Sequence, residues 1–204
     1  MITLYRHALS GHSHRVELLL SLLGLDYELR DVDLMAGEHK TEAFLRKNPF
    51  GQVPVLEDGA VLLADSNAIL VYLAKTYGDG DWYPEDPRIA AEVQRWLSVA
   101  AGEIANGPGA ARLVKVFGAG LDHERAVSIA HNLLGVLETY LAGTAFLAGP
   151  APTIADVAAY AYIAHAGEGD VDLAPYPAVG AWLDRIRALP GFVPMVETPL
   201  SDAA

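Results

Sequence analysis

The hydrophobic pattern of the first third of the chain alternates between strand spacing and helix spacing. Ile2–Tyr5 is a short β-type run, and from His14 to Gly24 valine and leucine recur at the spacing of one helix face. The same reasoning predicts strands at Tyr27–Leu34, Val53–Leu56 and Val61–Ala64 and helices at Thr41–Lys47 and Ser66–Tyr77. The predicted order is therefore β-α-β-α-β-β-α.

The pattern becomes helical after residues 78–87, GDGDWYPEDP, whose glycine, proline and aspartate predict a linker. Beyond it, Gly107-Pro108-Gly109 predicts a break between the first two helices. The predicted helices are Arg88–Ala105, Ala110–Phe117, His123–Leu141, Ile154–Ala166 and Ala178–Leu189. The sequence thus predicts an α/β domain over residues 1–77 and an all-helical domain over residues 88–204.

The composition narrows the range of functions. The 204 residues carry 26 acidic and 14 basic side chains and a net charge of −12. Such a surface repels phosphate backbones and anionic lipids, so we expect no nucleic-acid partner and no membrane partner. The absence of cysteine excludes a disulfide framework and a cysteine nucleophile. Neither a signal peptide nor a membrane-spanning run is visible, which predicts a soluble, cytoplasmic protein.

Pro54 is an unusual residue for a predicted strand, because it cannot donate a ladder hydrogen bond. One interpretation is an edge-strand proline without a role. The other follows from the order of the elements, which resembles a thioredoxin-like domain with proline at the start of its third strand. In that fold the proline is cis, and the backbone of the preceding residue, here Val53, faces the ligand.

Three further segments extend the resemblance over essentially the whole chain. QVPVLEDG at Gln52–Gly59 and Asp65-Ser66 at the start of a helix resemble the glutathione-binding signature of the glutathione S-transferase family. Thr153 and Asp156, in PTIADVAAYAYIAHA, form a capping-box variant like the one in the family's helical domain. The chain is most similar to bacterial members and to the serine-type phi class. The resemblance implies a homodimer that joins the α/β domain of one chain to the helical domain of the other, with Phe50 either anchoring that contact or packing locally.

The resemblance also implies where the chemistry lies. Without cysteine in the protein, the thiol must arrive on a ligand, and glutathione supplies one as co-substrate. Ser10 stands five residues before Arg15, the spacing of the catalytic serine in the phi class, and is the expected thiolate donor. Ser13 is the rival, although its place before the predicted helix favours an N-cap. Tyr5 lies inside a strand and is expected in the core or at the rim.

The other expected site residues fall into two groups. By resemblance, glutathione is bound by His39, Lys40, Gln52, Val53, Pro54, Asp65 and Ser66, although the family more often has glutamate at the position of Asp65. A pocket for the second substrate is expected between the domains, lined by Leu9, His12, Ile104 and Ala111. The spacing of His12 and His14 also fits two metal ligands, but no third ligand is near in sequence, so we expect no metal.

The sequence therefore predicts a detoxifying glutathione transferase that ionises the thiol of glutathione and conjugates it to a small hydrophobic electrophile. Three other activities on the same fold remain open: a glutathione-dependent isomerase, a dehalogenase and a peroxidase. A non-catalytic relative that only binds partners is the remaining alternative.

Overall fold

A four-stranded mixed sheet forms the first part of the molecule in the computed structural model, which describes residues 1–198. The strands are β1 (Ile2–Arg6), β2 (Tyr27–Asp31), β3 (Val55–Asp58) and β4 (Val61–Ala64). Their order in the sheet is β2-β1-β3-β4, with β1 parallel to β2 and the other pairs antiparallel. The hairpin between β3 and β4 turns at Gly59, whose φ of 58° suits glycine.

Three helices connect and cover these strands. They are α1 (Gly11–Leu22), the single turn α2 (Glu42–Leu45) and α3 (Ser66–Tyr77), with a 3₁₀ turn at Glu38–Lys40 before α2. Helix α1 ends just before Gly24, at a φ of 65°, and α3 ends at Gly78, as their sequences predict. The predicted β-α-β-α-β-β-α order and thioredoxin-like fold class are confirmed.

The remaining elements are helical. They are α4 (Pro87–Val99), α5 (Ala110–Phe117), α6 (His123–Leu141), α7 (Ile154–Ala164) and α8 (Pro177–Arg187), with a π-helical segment at Ala100–Gly109 that joins α4 to α5. The prediction of a break at Gly107-Pro108-Gly109 was wrong, because the chain stays helical through Pro108. The predicted division at residues 78–87 stays a prediction, and residues 199–204 of the predicted helical domain lie outside the described part.

One large apolar core runs from the sheet into the helices. The inner face of α1, with Val16 and Leu19 fully buried, packs beside α3 and α7. Helix α7 is buried on almost every side, and its capping box is formed as predicted: Asp156 accepts from the Thr153 N–H at 2.9 Å. No helix within residues 1–198 is long and apolar enough to cross a membrane. Within this core, Tyr162 of α7 packs against Gly11, the first residue of α1.

Candidate functional site

A cavity of about 460 Å³ lies where the loop after β1, the loop before β3 and the start of α3 face the helical part of the chain. Ten of the predicted site residues line it: Leu9, Ser10, His12, His39, Lys40, Gln52, Val53, Pro54, Asp65 and Ser66. Residues as far apart in sequence as Leu9 and Ser66 thus meet at one opening.

Ser10 is the N-cap of α1. Its backbone is extended, and its Oγ accepts a hydrogen bond from the Ser13 N–H at 3.2 Å. A hydroxyl has one proton to donate and two lone pairs, so capping leaves the proton of Ser10 available toward the cavity. The first N–H groups of α1 give this end of the helix a partial positive charge.

Ser13 lies inside α1 and not directly in front of it, as its sequence position suggested. The helix begins at Gly11 rather than His14, so Ser13 lies inside its first turn and is fully buried. Its Oγ accepts from the His7 N–H at 3.3 Å and ties the loop to the helix. The interpretation of Ser13 as the N-cap was wrong, since the preceding turn already supplies Ser10 for that role.

The loop before β3 presents a backbone edge to the cavity. The Val53–Pro54 peptide bond is cis, as predicted. Within residues 1–198, neither the N–H nor the C=O of Val53 has a hydrogen-bond partner in the protein. Buried Asn48 holds the loop: its Nδ2 donates to the Gln52 carbonyl at 2.8 Å, and its Oδ1 accepts from the Phe50 N–H at 3.1 Å. This edge can therefore pair with an extended peptide-like ligand.

Asp65 and Ser66 begin α3. Asp65 has a φ of 70°, which is rare for a residue other than glycine, and its Oδ1 accepts from the Ala68 N–H at 2.9 Å. Ser66 is buried, and its Oγ accepts from Arg15 Nη1 at 3.2 Å. The exposed second oxygen of Asp65 suits a cation, whereas the N-terminus of α3 suits a carboxylate.

Arg15 places a positive charge behind this helix end. Its side chain is 1% exposed, and Nη1 also donates to Asn67 Oδ1 at 2.9 Å. Burial lowers the pKa of Arg15 to about 10, while Tyr162 and Asp65 act in the opposite direction, so the group is charged at neutral pH. Among the described residues, its Nε and Nη2 have no hydrogen-bond partner. The charge therefore favours an anion on the cavity side of Ser66.

His39 and Lys40 line the cavity beside the loop before β3. Lys40 Nζ donates to the Gly51 carbonyl at 3.0 Å, which leaves protons on the ammonium for another acceptor. Nδ1 of His39 is buried and lacks a partner within the described chain. The Lys40 ammonium is thus available to an acidic group in the cavity.

His12 and His14 face different surroundings. His12 lines the cavity with its Nδ1 3.5 Å from Ser66 Oγ, and burial first, then Arg15, lowers its pKa to about 3. His14 lies beneath the chain segment that follows α8, where its Nε2 is 2.9 Å from the Val193 carbonyl oxygen. Within residues 1–198, no group of three His, Asp or Glu side chains is arranged to hold a metal ion.

The helical wall of the cavity differs from the predicted one. Ile104 and Ala111 do not line it, because both are fully buried in the core. Leu113 of the same predicted face does line it, together with Ala105, Gly109 and Phe117. The π-helical spacing of Ala100–Gly109 rotates these positions relative to a regular helix, which explains the error. The wall is still largely apolar, as the sequence indicated.

Arg112 is the charged group of this wall. It is 1% exposed, its Nε lies 2.8 Å from Glu168 Oε2, and its Nη1 donates to the Leu9 carbonyl at 2.7 Å. It therefore fixes the loop that carries Ser10 to the helical part of the chain.

The chain resembles known proteins over nearly its whole length. Residues 1–75 match the N-terminal domain of glutathione S-transferase, and residues 121–185 match the C-terminal domain. Glutathione S-transferase F14 of Arabidopsis thaliana is 34% identical over 190 residues, which cover 85% of this chain and 74% of that protein. The chain belongs to the glutathione S-transferase family.

Two solved glutathione S-transferase structures have the same fold. A crystal structure of a glutathione S-transferase from Pseudomonas fluorescens superimposes with a TM-score of 0.88 at 36% identity, covering 96% of this chain and 99% of that one. A glutathione transferase homolog from Drosophila mojavensis, solved with bound glutathione, has a TM-score of 0.84 at 32% identity, covering 93% and 88%.

Asn48, Arg112 and Tyr162 also line the cavity of this glutathione S-transferase and were not among the predicted site residues. Asn48 precedes the quoted glutathione signature and stands directly before a proline. A short polar residue before proline often marks a turn, and this was the available signal for its contacts to the loop. Arg112 and Tyr162 come from distant helices and line the cavity. An arginine on an apolar helix face was the available signal for Arg112, whereas a tyrosine within the alanine-rich α7 is indistinguishable from a core residue by pattern alone.

Proposed function

We propose that this chain is a serine-type glutathione transferase, most similar to the phi class. It binds glutathione in the cavity, ionises its thiol with the Ser10 hydroxyl and transfers it to a small hydrophobic electrophile. One observation carries the proposal: the Ser10 hydroxyl lies at the positive end of α1, on the same cavity as the free backbone of Val53 and the start of α3. The bound glutathione of the Drosophila mojavensis homolog supports the choice of co-substrate.

The charged groups of the cavity match the charged groups of glutathione. Its γ-glutamyl carboxylate binds the Ser66 N–H and hydroxyl, in front of the charge of Arg15, and its α-ammonium binds the free oxygen of Asp65. The glycine carboxylate binds His39 and Lys40, beside Gln52. The cysteinyl backbone pairs with Val53, as a strand would, and this pairing directs the thiol toward Ser10.

The hydroxyl of Ser10 stabilises the thiolate more than the thiol. A hydrogen bond to a charged acceptor contributes about 1.5–3 kcal/mol, which lowers the thiol pKa by about one to two units. The N-terminus of α1 adds about 0.3–1 kcal/mol. From an ordinary value of about 8.5, these contributions make the thiolate the main form near neutral pH.

The transfer step uses that thiolate as the nucleophile. With an aryl halide, the sulfur lone pair forms the new carbon–sulfur bond, and the halide leaves with the electrons of the broken carbon–halogen bond. The apolar wall of Leu9, Leu113 and Phe117 excludes water and accommodates the ring of the electrophile. A detoxifying role in the cytoplasm follows from this activity as part of the same proposal.

We also propose that the protein works as a homodimer, with the α/β part of one chain against the helical part of the other. Phe50 is 79% exposed, which contradicts a local core role and leaves a large apolar side chain available for such a contact.

Calorimetric titration with glutathione, followed by the pH titration of the thiolate absorbance, tests the proposed function. We expect the bound thiol to ionise about one to two units below free glutathione, and Ser10→Ala to reverse most of that shift while glutathione still binds. The rate with an aryl halide at neutral pH should fall about 10–100-fold in Ser10→Ala. Ser10→Gly removes the same hydroxyl with a smaller loss of helix capping.

Ser13→Ala is the matched control. It removes a buried hydroxyl one helical turn away that does not line the cavity, so the thiol titration should not move. A wild-type protein that fails to bind glutathione at millimolar concentration contradicts the proposal. Binding without thiol ionisation favours the non-catalytic relative, and turnover of isomerisable, halogenated or peroxide substrates alone favours one of the other three activities.

A further inference from the structure

His7 is held at three points on the loop that carries Ser10. The two residues close a tight turn, in which the Ser10 N–H donates to the His7 carbonyl at 2.9 Å. The His7 N–H donates to Ser13 Oγ at 3.3 Å, and the Leu9 N–H donates to Nδ1 of the His7 ring at 3.3 Å. Two of these bonds fix the backbone of His7, and the third fixes its ring. The ring therefore has a defined orientation beside Ser10.

The hydrogen bond from Leu9 also determines which ring nitrogen of His7 carries a proton. A nitrogen that accepts a hydrogen bond has no proton of its own, so the proton of this imidazole is on Nε2. Within residues 1–198, Nε2 has no hydrogen-bond partner and is not sealed off inside the protein. Because His7 lines the cavity, this free N–H is a donor that a molecule in the cavity can reach.

The ring of His7 belongs to the part of the cavity that accommodates the electrophile. It meets the ring of Phe117 edge-on, with a centroid distance of 6.0 Å and an interplanar angle of 65°. Phe117 and Leu113 form the apolar wall of this electrophile subsite. The groups assigned to glutathione lie instead around the loop before β3 and at the start of α3. In an apolar subsite, a fixed polar group determines which ligands fit and how they are oriented.

We propose that His7 is a specificity-determining residue of the electrophile subsite, and that its Nε2–H selects small apolar substrates with a conjugated carbonyl group. This inference rests on the proposed function, because it names the substrate class of the same transfer reaction. The alternative is a histidine that only stabilises the loop. The two roles use different ring nitrogens, since Nδ1 holds the loop and Nε2 meets the substrate.

Addition of glutathione to a conjugated carbonyl compound places negative charge where a donor is useful. The thiolate forms the new carbon–sulfur bond at the β-carbon, and the electrons of the carbon–carbon double bond move toward the carbonyl oxygen, which becomes an enolate oxygen. The His7 N–H binds this oxygen and keeps its own proton. Water then protonates the α-carbon, and no group leaves. The hydrogen bond is stronger to the enolate than to the carbonyl of the free substrate, so it accelerates the addition.

His7→Phe tests the inference, since it keeps an aromatic ring against Phe117 and removes both nitrogens. The measured quantity is kcat/KM for the enone 4-phenylbut-3-en-2-one, corrected for the uncatalysed addition, divided by kcat/KM for benzyl chloride, which has no carbonyl oxygen. We expect this ratio to fall about 10–100-fold, the loss of one hydrogen bond to a charged acceptor. The thiolate titration of bound glutathione should not move, because the Ser10 hydroxyl is intact.

His131→Phe is the matched control for replacing a histidine ring. The ring of His131 also packs on an aromatic side chain, that of Tyr176 at a centroid distance of 6.1 Å, and its Nδ1 lies 2.9 Å from the Tyr176 hydroxyl. His131 lies on α6 and does not line the cavity. The ratio of the two kcat/KM values should therefore equal that of the wild type.

Asparagine and glutamine at position 7 separate the two roles of the ring. The amide oxygen of asparagine can replace Nδ1 as the acceptor for the Leu9 N–H, but its side chain is too short to place a donor where Nε2 lies. The longer glutamine places an amide N–H near that position. We expect His7→Gln to retain most of the ratio and His7→Asn to lose it, as His7→Phe does. These two variants also decide the question if His7→Phe fails to fold.

The opposite order, in which His7→Asn behaves as the wild type and His7→Gln does not, overturns the inference, because His7 would then only hold the loop. An unchanged ratio in His7→Phe overturns it as well, and so does a wild-type protein that conjugates benzyl chloride but not the enone. Failure of the proposed function is distinguishable from these outcomes, because the wild-type protein would then show no glutathione binding or no lowered thiol titration.

Discussion

His14 lies beneath the segment that follows α8 and is 2% exposed. Its Nε2–H donates to the Val193 carbonyl at 2.9 Å, and its Nδ1 has no partner within the described chain. Burial lowers the pKa of His14 to about 4; the Val193 contact opposes this shift, and the neighbouring His165, Arg6 and Arg15 add to it. The ring is therefore neutral in the folded protein at pH values where an unfolded chain already binds a proton.

This difference predicts that His14 destabilises the fold in mild acid. As the pH falls from about 6.5 to 4, the unfolded chain takes up a proton that the folded chain does not, so the free energy of unfolding decreases with falling pH. One such group accounts for a loss of about 3 kcal/mol over this window. His14→Gln, which retains a donor for Val193, should remove that part of the slope.

Urea unfolding of the wild type and His14→Gln at a series of pH values measures the effect. Above pH 7 the difference in the free energy of unfolding between the two proteins should not change with pH, and this range serves as the internal control. Curves that remain parallel down to pH 4 would show that His14 titrates normally in the folded protein.

Residue roles were predictable from the sequence where they depend on neighbours along the chain. The start of α3 at Ser66 follows from a local pattern, and the cis bond before Pro54 follows from the resemblance to a thioredoxin-like domain; the structure has both. The capping of α1 by Ser10 rather than Ser13 was not predictable in the same way, because either serine can cap a helix.

At the scale of elements, the start of α1 depends on a close approach between two helices. Gly11 is the first residue of α1, and the ring of Tyr162 on α7 occupies the space where a side chain would be. The contact joins the sheet-containing part of the chain to the helical part. A helix with alanine at this position would satisfy local propensity but not this packing.

Gly11→Ala is expected to destabilise the protein by about 1–3 kcal/mol. Alanine is the better helix former, but its Cβ would lie 2.8 Å from two carbons of a buried ring that cannot turn aside freely. Gly135→Ala on α6 is the matched control: this glycine is exposed, and a Cβ there meets no atom within 4 Å. It should stabilise the protein by about 0.5–1 kcal/mol. Chemical unfolding measures both, and equal gains in the two variants would contradict the close contact at Gly11.

The segment between α4 and α5 shows why one wall of the cavity escaped prediction. Periodicity assigns faces on the assumption of 3.6 residues per turn, and the wider π-helical turns of Ala100–Gly109 shift those faces. Pro108 lacks an N–H, which made a break the natural expectation. Gly107 instead lets α6 approach, since a Cβ there would lie 3.0 Å from the Ala130 nitrogen. The core positions of Ile104 and Ala111 are the result.

At the scale of the whole molecule, the fold class was predictable because its signal is spread over many positions. Hydrophobic spacing alternates between strand and helix periods before residue 78 and is helical afterwards. This difference remains recognisable even where the boundaries of single elements are misplaced. The cavity is harder to predict, since it depends on side chains from α5 and α7 that meet the loop after β1 only through tertiary packing.

The homodimer is the remaining prediction at this scale, and Phe50 is the side chain on which it depends. The loop that carries Phe50 is fixed by Asn48 and by Lys40, so the ring is held outward on an ordered backbone at little further entropic cost. We expect light scattering at micromolar concentration to give twice the 21.8 kDa of one chain. Phe50→Ser should weaken self-association about 30-fold or more, as truncation of a central aromatic anchor costs about 2 kcal/mol or more.

Met35→Ser is the matched control for the dimer, because Met35 is 89% exposed on another loop and is equally apolar. Its dissociation constant should equal that of the wild type. Analytical ultracentrifugation over a range of concentrations gives both dissociation constants. Because both side chains lie outside the buried core, the thermal unfolding midpoint of either variant should stay nearly unchanged when it is measured as a monomer. A wild-type protein that stays monomeric throughout this range rejects the dimer. Equal weakening by both substitutions would mean that general surface hydrophobicity, and not an anchor at Phe50, holds the two chains together.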